Sequence, residues 1–277
     1  MSGSATGDRA ALLASIRADL EAEQVDLVGR LEHVAPERWS TPTPAEGWTV
    51  GDQVGHLAYF DHAAALAIAD SVGFERHLSS LDGVDAPIRE HLAQSRSMGP
   101  EDIAAWWQRE RRALLAELAQ VAPDQRIRWY GPDPMSPASF VSARLMETWV
   151  HGQDVVDALG VDREPTGRLR HVAHLGVQAR RYSYLVRGRE MPRSDVHVEL
   201  RSPSGETWRW GDPGAENVVR GQALDFCLVV TQRRHRDDTW LQTEGAVAEE
   251  WMSIAQAYAG PAGPGRPAGQ FPRPAIR

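Results

Sequence analysis

Through most of the first 160 positions, apolar residues recur at spacings of three, four and seven, and prolines cut this pattern into separate segments. Such periodicity collects apolar side chains on one stripe of a helix, and that stripe must be buried against a partner. Leu13, Ile16, Leu20, Leu27 and Leu31 mark a first helix over residues 8–33. Pro36, Pro42 and Pro44 end it, and Glu46-Gly47-Trp48 reads as a loop. Thr49 with Asp52 three residues on has the pattern of a capping box, so a second helix starts there and runs through Val54, Leu57 and Leu66 towards Ser71. The stretch 73–99 reads as irregular, with a short helical turn from Ile88 to Gln94. Gly99-Pro100-Glu101 opens a third helix, because proline suits a first turn and acids favour its dipole. Its buried face is Ile103, Trp107, Leu114, Leu118 and Val121. After a turn at 131–134, Ser136-Pro137 opens a fourth helix through Phe140, Leu145 and Trp149 to Leu159, closed by Gly160. Four amphipathic helices with proline-rich connections make a bundle.

The second half changes character. Val172, Leu175, Ala179 and Tyr182 keep helical spacing, but past Met191-Pro192 the period drops to two. Val196, Val198 and Leu200 alternate with His197, Glu199 and Arg201, as in a half-buried strand. A turn at 202–205 leads to a return strand from Thr207 to Trp210. A short strand follows at Asn217–Val219, then helices from Gly221 to about Arg233 and from Ala246 to Tyr258. The expected fold class is therefore α+β. It comprises a four-helix bundle over 8–165, a connecting helix over 166–190, a small α+β domain over 191–260 and a tail over 261–277. That tail is rich in Pro and Gly and too poor in apolar residues to pack, so it is expected to be disordered.

Composition narrows the function. A mix of 42% hydrophobic and 25% charged residues is that of a globular protein. No apolar run approaches the roughly 18 residues of a membrane span, and residues 1–10 lack the basic-then-apolar pattern of a secretory signal. The single cysteine, Cys227, excludes an internal disulfide framework or a multi-cysteine metal site, so a reducing, cytoplasmic setting is expected. Thirty basic against 38 acidic residues give a net charge of −8, and the densest basic stretch, Arg233 to Arg236, runs straight into Asp237-Asp238. A nucleic-acid partner is not expected. The expected partners are a small molecule and, for assembly, none or a second copy of the chain. Several of the ten tryptophans, among them Trp48, Trp106, Trp107 and Trp149, adjoin polar residues. They suit either an organic-ligand pocket or plain core, as do Tyr59, Phe60, Tyr182 and Tyr184.

Glu147 and His151 stand four apart, hence one above the other on a helix face, and Asp154 extends that face. A catalytic divalent ion takes about three protein ligands and keeps one position open. Two come from this pair, and the best third candidate is His56 on the second helix, on the side that carries Gln53 and Phe60. The bland alternative is a solvated Glu/His pair and a hydrogen-bonded histidine. His62, His91, His171, His174 and His235 read as structural or surface residues.

The stretch Glu46-Gly-Trp-Thr-Val-Gly-Asp-Gln-Val-Gly-His56-Leu, with Glu147-Thr-Trp-Val-His151-Gly-Gln-Asp154, is similar to the DinB-like superfamily. It most resembles the mycothiol-dependent maleylpyruvate isomerase-like family, in its metal-binding subfamily, over about residues 8–260. The resemblance implies a zinc-like ion on His56, Glu147 and His151, with nickel, iron or manganese as alternatives. It implies mycothiol as a co-substrate and isomerase or transferase chemistry. Asp154 then orients a ligand, and Arg233, in Leu228-Val-Val-Thr-Gln-Arg233-Arg234, clamps an anionic substrate or the thiol. The other reading of Arg233 is a cation closing its helix. Two further functions remain open: a thiol-independent lyase, cyclase or hydrolase with Asp52, Asp61 or Asp154 as base, and a non-catalytic metal-stabilised binding module. Natural-product biosynthesis is one setting for the enzymes.

Overall fold

The computed structural model describes residues 2–272 and divides into two compact units, 1–163 and 164–277. The first unit is helical. Its long helices are α1 (Ser2–Leu31), α2 (Val50–Ala69), α5 (Pro100–Leu118) and α6 (Pro137–Leu159). Two shorter ones, α3 (Ser71–Ser80) and α4 (Ala86–Ser95), lie between α2 and α5, in the segment expected to be largely irregular. Their apolar content is low: among the buried residues only Phe74, Ala86 and Pro87 are apolar. Neither helix therefore carries a legible stripe.

Helix α2 packs against α5 and α6, and α1 against α6 and α5, so the four long helices enclose one core. Leu27, Leu31, Val54, Leu57, Ile103, Trp107, Val155 and Leu159 meet there. The ends follow local chemistry. Ser136 accepts from the Ser139 N–H above Pro137, and Gly160 closes α6 in the left-handed region at φ 65°, which a glycine adopts without steric cost. An ion pair between Arg144 and Asp61 is buried in this core. Arg144 donates to Asp61 Oδ1 at 2.8 and 3.2 Å, and Trp107 Nε1 donates to Oδ2 at 3.0 Å.

The second unit holds a four-stranded sheet of order β2-β1-β3-β4: β1 (Val196–Arg201), β2 (Thr207–Trp210), β3 (Asn217–Gln222) and β4 (Gln242–Glu244). The β1–β2 hairpin is antiparallel, β1 and β3 run parallel, and β4 returns antiparallel to β3. Helices α7 (Leu169–Gln178), α8 (Arg180–Leu185), α9 (Ala223–Val230) and α10 (Ala246–Ile254) complete it. The single connecting helix expected over 166–190 is thus two helices broken at Ala179, and both belong to this unit.

Residues 261–272, expected to be disordered, are instead held by polar side chains rather than apolar burial. Gly263 N–H donates to Gln256 Oε1 at 3.0 Å, Gly269 N–H donates to Asp238 Oδ1 at 2.8 Å, and the Arg234 guanidinium lies 3.9 Å over the Phe271 ring. Residues 273–277 lie outside the described residues. Among the described residues, no helix is long and apolar enough to cross a membrane.

Candidate metal centre

Thr49 and Asp52 form the reciprocal capping box that starts α2: Thr49 Oγ1 accepts from the Asp52 N–H, and Asp52 Oδ2 accepts from the Thr49 N–H. Two turns on, His56 faces α6, where Glu147 and His151 lie one turn apart. The ligand atoms of the three residues lie within 4.8 Å of one another. Glu147 Oε2 is 3.2 Å from His151 Nε2 and 3.5 Å from His56 Nε2. Donors held at about 2.0–2.1 Å around one tetrahedral ion stand roughly 3.3–3.4 Å apart, so these separations fit a single small cation.

Proton assignments make the same demand. Gln53 Nε2 donates to Thr43 Oγ1 at 2.9 Å, and that hydroxyl donates to the Trp48 carbonyl at 3.0 Å. This chain fixes the Gln53 amide with Oε1 towards His151 Nδ1, at 2.5 Å. His151 must therefore carry its proton on Nδ1. A neutral His151 then turns a bare Nε2 lone pair on the Glu147 carboxylate, an arrangement that a cation between them resolves. His56 is held well below the ordinary histidine range, first by burial and then by the neighbouring His151. Burial works against ionisation of Glu147, but the two histidines that face it outweigh burial and hold the carboxyl well below its ordinary range. A neutral imidazole beside a carboxylate suits a borderline divalent ion.

The surroundings leave one side open. The His56 and His151 side chains are each 10% exposed, whereas Glu147 is 24% exposed. The Trp48 indole stacks on His151 at 5.9 Å and meets His56 at 5.4 Å, while Phe60 packs on His56 at 4.5 Å. These rings cover the imidazoles with apolar surface and limit water around them.

Several expected roles change. Asp154 is fully buried on α6, and Gln53 contacts His151 Nδ1. Asp52 is committed to the helix cap and to Arg96, whose Nε and Nη2 each reach it at 3.1 Å. Asp61 is committed to Arg144 and Trp107, so neither carboxylate stands ready as a general base. His91, expected to be structural or on the surface, is fully buried with Nε2 3.4 Å from His56 Nδ1. Trp107 and Trp149 are core. Tyr182 and Tyr184 bond within the second unit, to Gly260 and Glu250. Arg233 also lies there, just beyond α9, where its Nη1 donates to the Thr231 carbonyl at 2.8 Å. Gln53 was legible as a neighbour on the His56 face. His91 had no such signal, because α4 carries no amphipathic stripe.

The family model for the mycothiol maleylpyruvate isomerase N-terminal domain matches residues 20–156. Uncharacterized proteins from two Mycobacterium tuberculosis strains, H37Rv and CDC 1551 / Oshkosh, are each 44% identical over 250 residues, spanning 90% of this chain and 97% of theirs. Among solved structures, the crystal structure of a mycothiol-dependent maleylpyruvate isomerase superposes with a TM-score of 0.58 at 15% identity, covering 83% of this chain and 92% of that one. A histidine-to-alanine mutant of that enzyme superposes with a TM-score of 0.57 over the same shares. The likeness to these structures establishes the α+β fold.

Proposed function

The chain belongs to the mycothiol maleylpyruvate isomerase family by its N-terminal domain, and from that premise we propose that it is a metal-dependent isomerase or S-transferase. In this reading it adds a low-molecular-weight thiol of the mycothiol type to a small electrophilic substrate. The observation that carries the proposal is the convergence of His56 Nε2, His151 Nε2 and Glu147 Oε2, with the His151 proton already committed to Gln53.

A zinc-like ion on these three residues supplies Lewis acidity and favours thiolate over thiol at neutral pH. The chain's own residues do the rest. Gln53, braced by Thr43, holds His151 in the tautomer with a free Nε2. Trp48 and Phe60 exclude water from the imidazole faces, which strengthens electrostatic interactions at the site. The partly exposed side of Glu147 is the side from which reactants enter.

Addition of a thiol to an activated alkene converts its double bond to a single bond. Rotation and loss of the same thiol return the alkene with opposite geometry, and retention of the adduct gives an S-transferase.

The test uses full-length protein purified without added metal. Metal analysis is expected to find close to one zinc-like ion per chain, lost in His56→Ala. Calorimetry is then expected to show mycothiol binding to the loaded protein and not to His56→Ala. An unloaded wild type that takes up no zinc refutes the metal centre. A loaded protein indifferent to millimolar thiol refutes the thiol chemistry.

A further inference from the structure

His91 stands behind His56 as Gln53 stands behind His151. We propose that His91 is a positioning residue for the metal centre: its Nε2 accepts the Nδ1 proton of His56 and holds that imidazole in the tautomer whose Nε2 lone pair is free for the ion. This rests on the metal-binding reading above and adds a residue and a proton arrangement to it.

A neutral imidazole has one N–H, so a His56 that ligates through Nε2 must carry its proton on Nδ1. That atom is buried, and His91 Nε2 lies 3.4 Å away. It can serve His56 only as an acceptor, which puts the proton of His91 on its own Nδ1. His91 Nδ1 is buried with no hydrogen-bond partner among the described residues, and the ring stands edge-on to Trp48 at 4.9 Å. A buried N–H without a partner is unfavourable, and an apolar side chain would fill the same space without it. Packing alone therefore gives no reason for an imidazole on α4 at this point. Its other nitrogen does.

The position is held firmly. Helix α4 approaches α2 so closely that a Cβ on Gly55 would lie 2.5 Å from Ser95 Cβ. One residue on, Arg96 grips Asp52 with two nitrogens and the Gly47 carbonyl with Nη2 at 2.7 Å. This clasp sets the register of α4, and with it the reach of His91. The opposite polarity, with His91 Nε2–H donating to His56 Nδ1, would place a proton on His56 Nε2 facing Glu147 and close the donor set to a cation. Metal loading therefore carries a defined signature: both His56 and His91 hold their protons on Nδ1.

Two measurements on the full chain test this. Competition with a chromophoric chelator gives the zinc Kd of wild type, H91Q and H91M, two side chains of similar size of which only the first offers an oxygen acceptor. H91Q is expected to stay near the wild-type value and H91M to weaken binding by about 10- to 100-fold, the usual consequence of losing an outer partner of a ligating histidine. Long-range 1H–15N spectra of the zinc-loaded wild type are expected to report Nδ1–H tautomers at both histidines. Equal Kd values for H91M, H91Q and wild type, or an Nε2–H tautomer at His91 in the loaded protein, overturn the proposal while leaving the metal centre standing. A wild type that binds no zinc overturns both.

Discussion

The clasp between α2 and α4 gives a quantitative prediction for Gly55→Ala. An ideal Cβ at residue 55 falls 2.5 Å from Ser95 Cβ and 3.1 Å from Ser95 Oγ. Carbon atoms in contact sit at about 3.5–4.0 Å, so α4 must retreat by roughly 1 Å. Overpacking of this kind costs about 1–3 kcal/mol, and replacing glycine by alanine inside a helix returns about 0.5–1 kcal/mol. The net expected loss in the metal-free protein is about 0–2.5 kcal/mol, centred near 1, read as a lower urea midpoint at unchanged slope. The same retreat stretches the 3.4 Å contact of His56 with His91 beyond hydrogen-bonding range. Zinc affinity is therefore expected to fall about 10- to 100-fold in addition. Adding Ser95→Gly removes the opposing Cβ and is expected to restore both quantities in part, with a favourable coupling of about 1–2 kcal/mol. Adding Ser95→Ala leaves that Cβ in place and restores neither. A Gly55→Ala protein with wild-type stability and zinc affinity, or equal rescue by both serine substitutions, refutes the reasoning.

Three further outcomes follow from particular contacts. Gln53→Leu removes the acceptor of the His151 proton and is expected to weaken zinc binding by about 10- to 100-fold in a chelator competition assay, with little change in fold by circular dichroism. Asp61→Asn leaves the buried Arg144 guanidinium without its counter-charge and is expected to cost about 3–5 kcal/mol in urea unfolding, whereas the double substitution to leucine at both positions recovers most of it. Burial pushes His91 down to about 3 and holds His56 well below the usual range, so the unfolded chain binds more protons than the folded one as pH falls below about 6.5. Metal-free protein is thus expected to lose up to about 1.4 kcal/mol per pH unit for each histidine between neutral pH and pH 4, and a flat profile of urea midpoints would remove that linkage.

The four long helices and most of their ends were legible because the signals are local. The Thr49–Asp52 box, Pro100, Ser136-Pro137 and Gly160 each act on the backbone within one turn, and each marks the boundary observed. Glu147 and His151 were legible as a pair for the same reason, since four residues on a helix fix which side chains stack. The alternation at 196–201 likewise announced β1. Helix α3 was missed and α4 was read only as a short turn over 88–94; tertiary docking, not an apolar stripe, holds α4, since Asp52–Arg96 and the bare Cα of Gly55 against Ser95 are contacts 40 or more residues apart. The short β4 exists by pairing with β3 and carries no pattern of its own. Residues 261–272 misled because backbone N–H groups held by Asp238 and Gln256 substitute for apolar burial.

Periodicity and capping chemistry thus determined the bundle, the sheet-bearing second half and the presence of a carboxylate and an imidazole on one helix face. Only the packing of α2 against α6 decided that His56 meets that pair, and only the docking of α4 decided that a third histidine backs it. The physical reason is range: helix propensity and side-chain stacking act over four residues, whereas a metal centre and its proton arrangement depend on groups that only the folded core brings within 3.5 Å of each other.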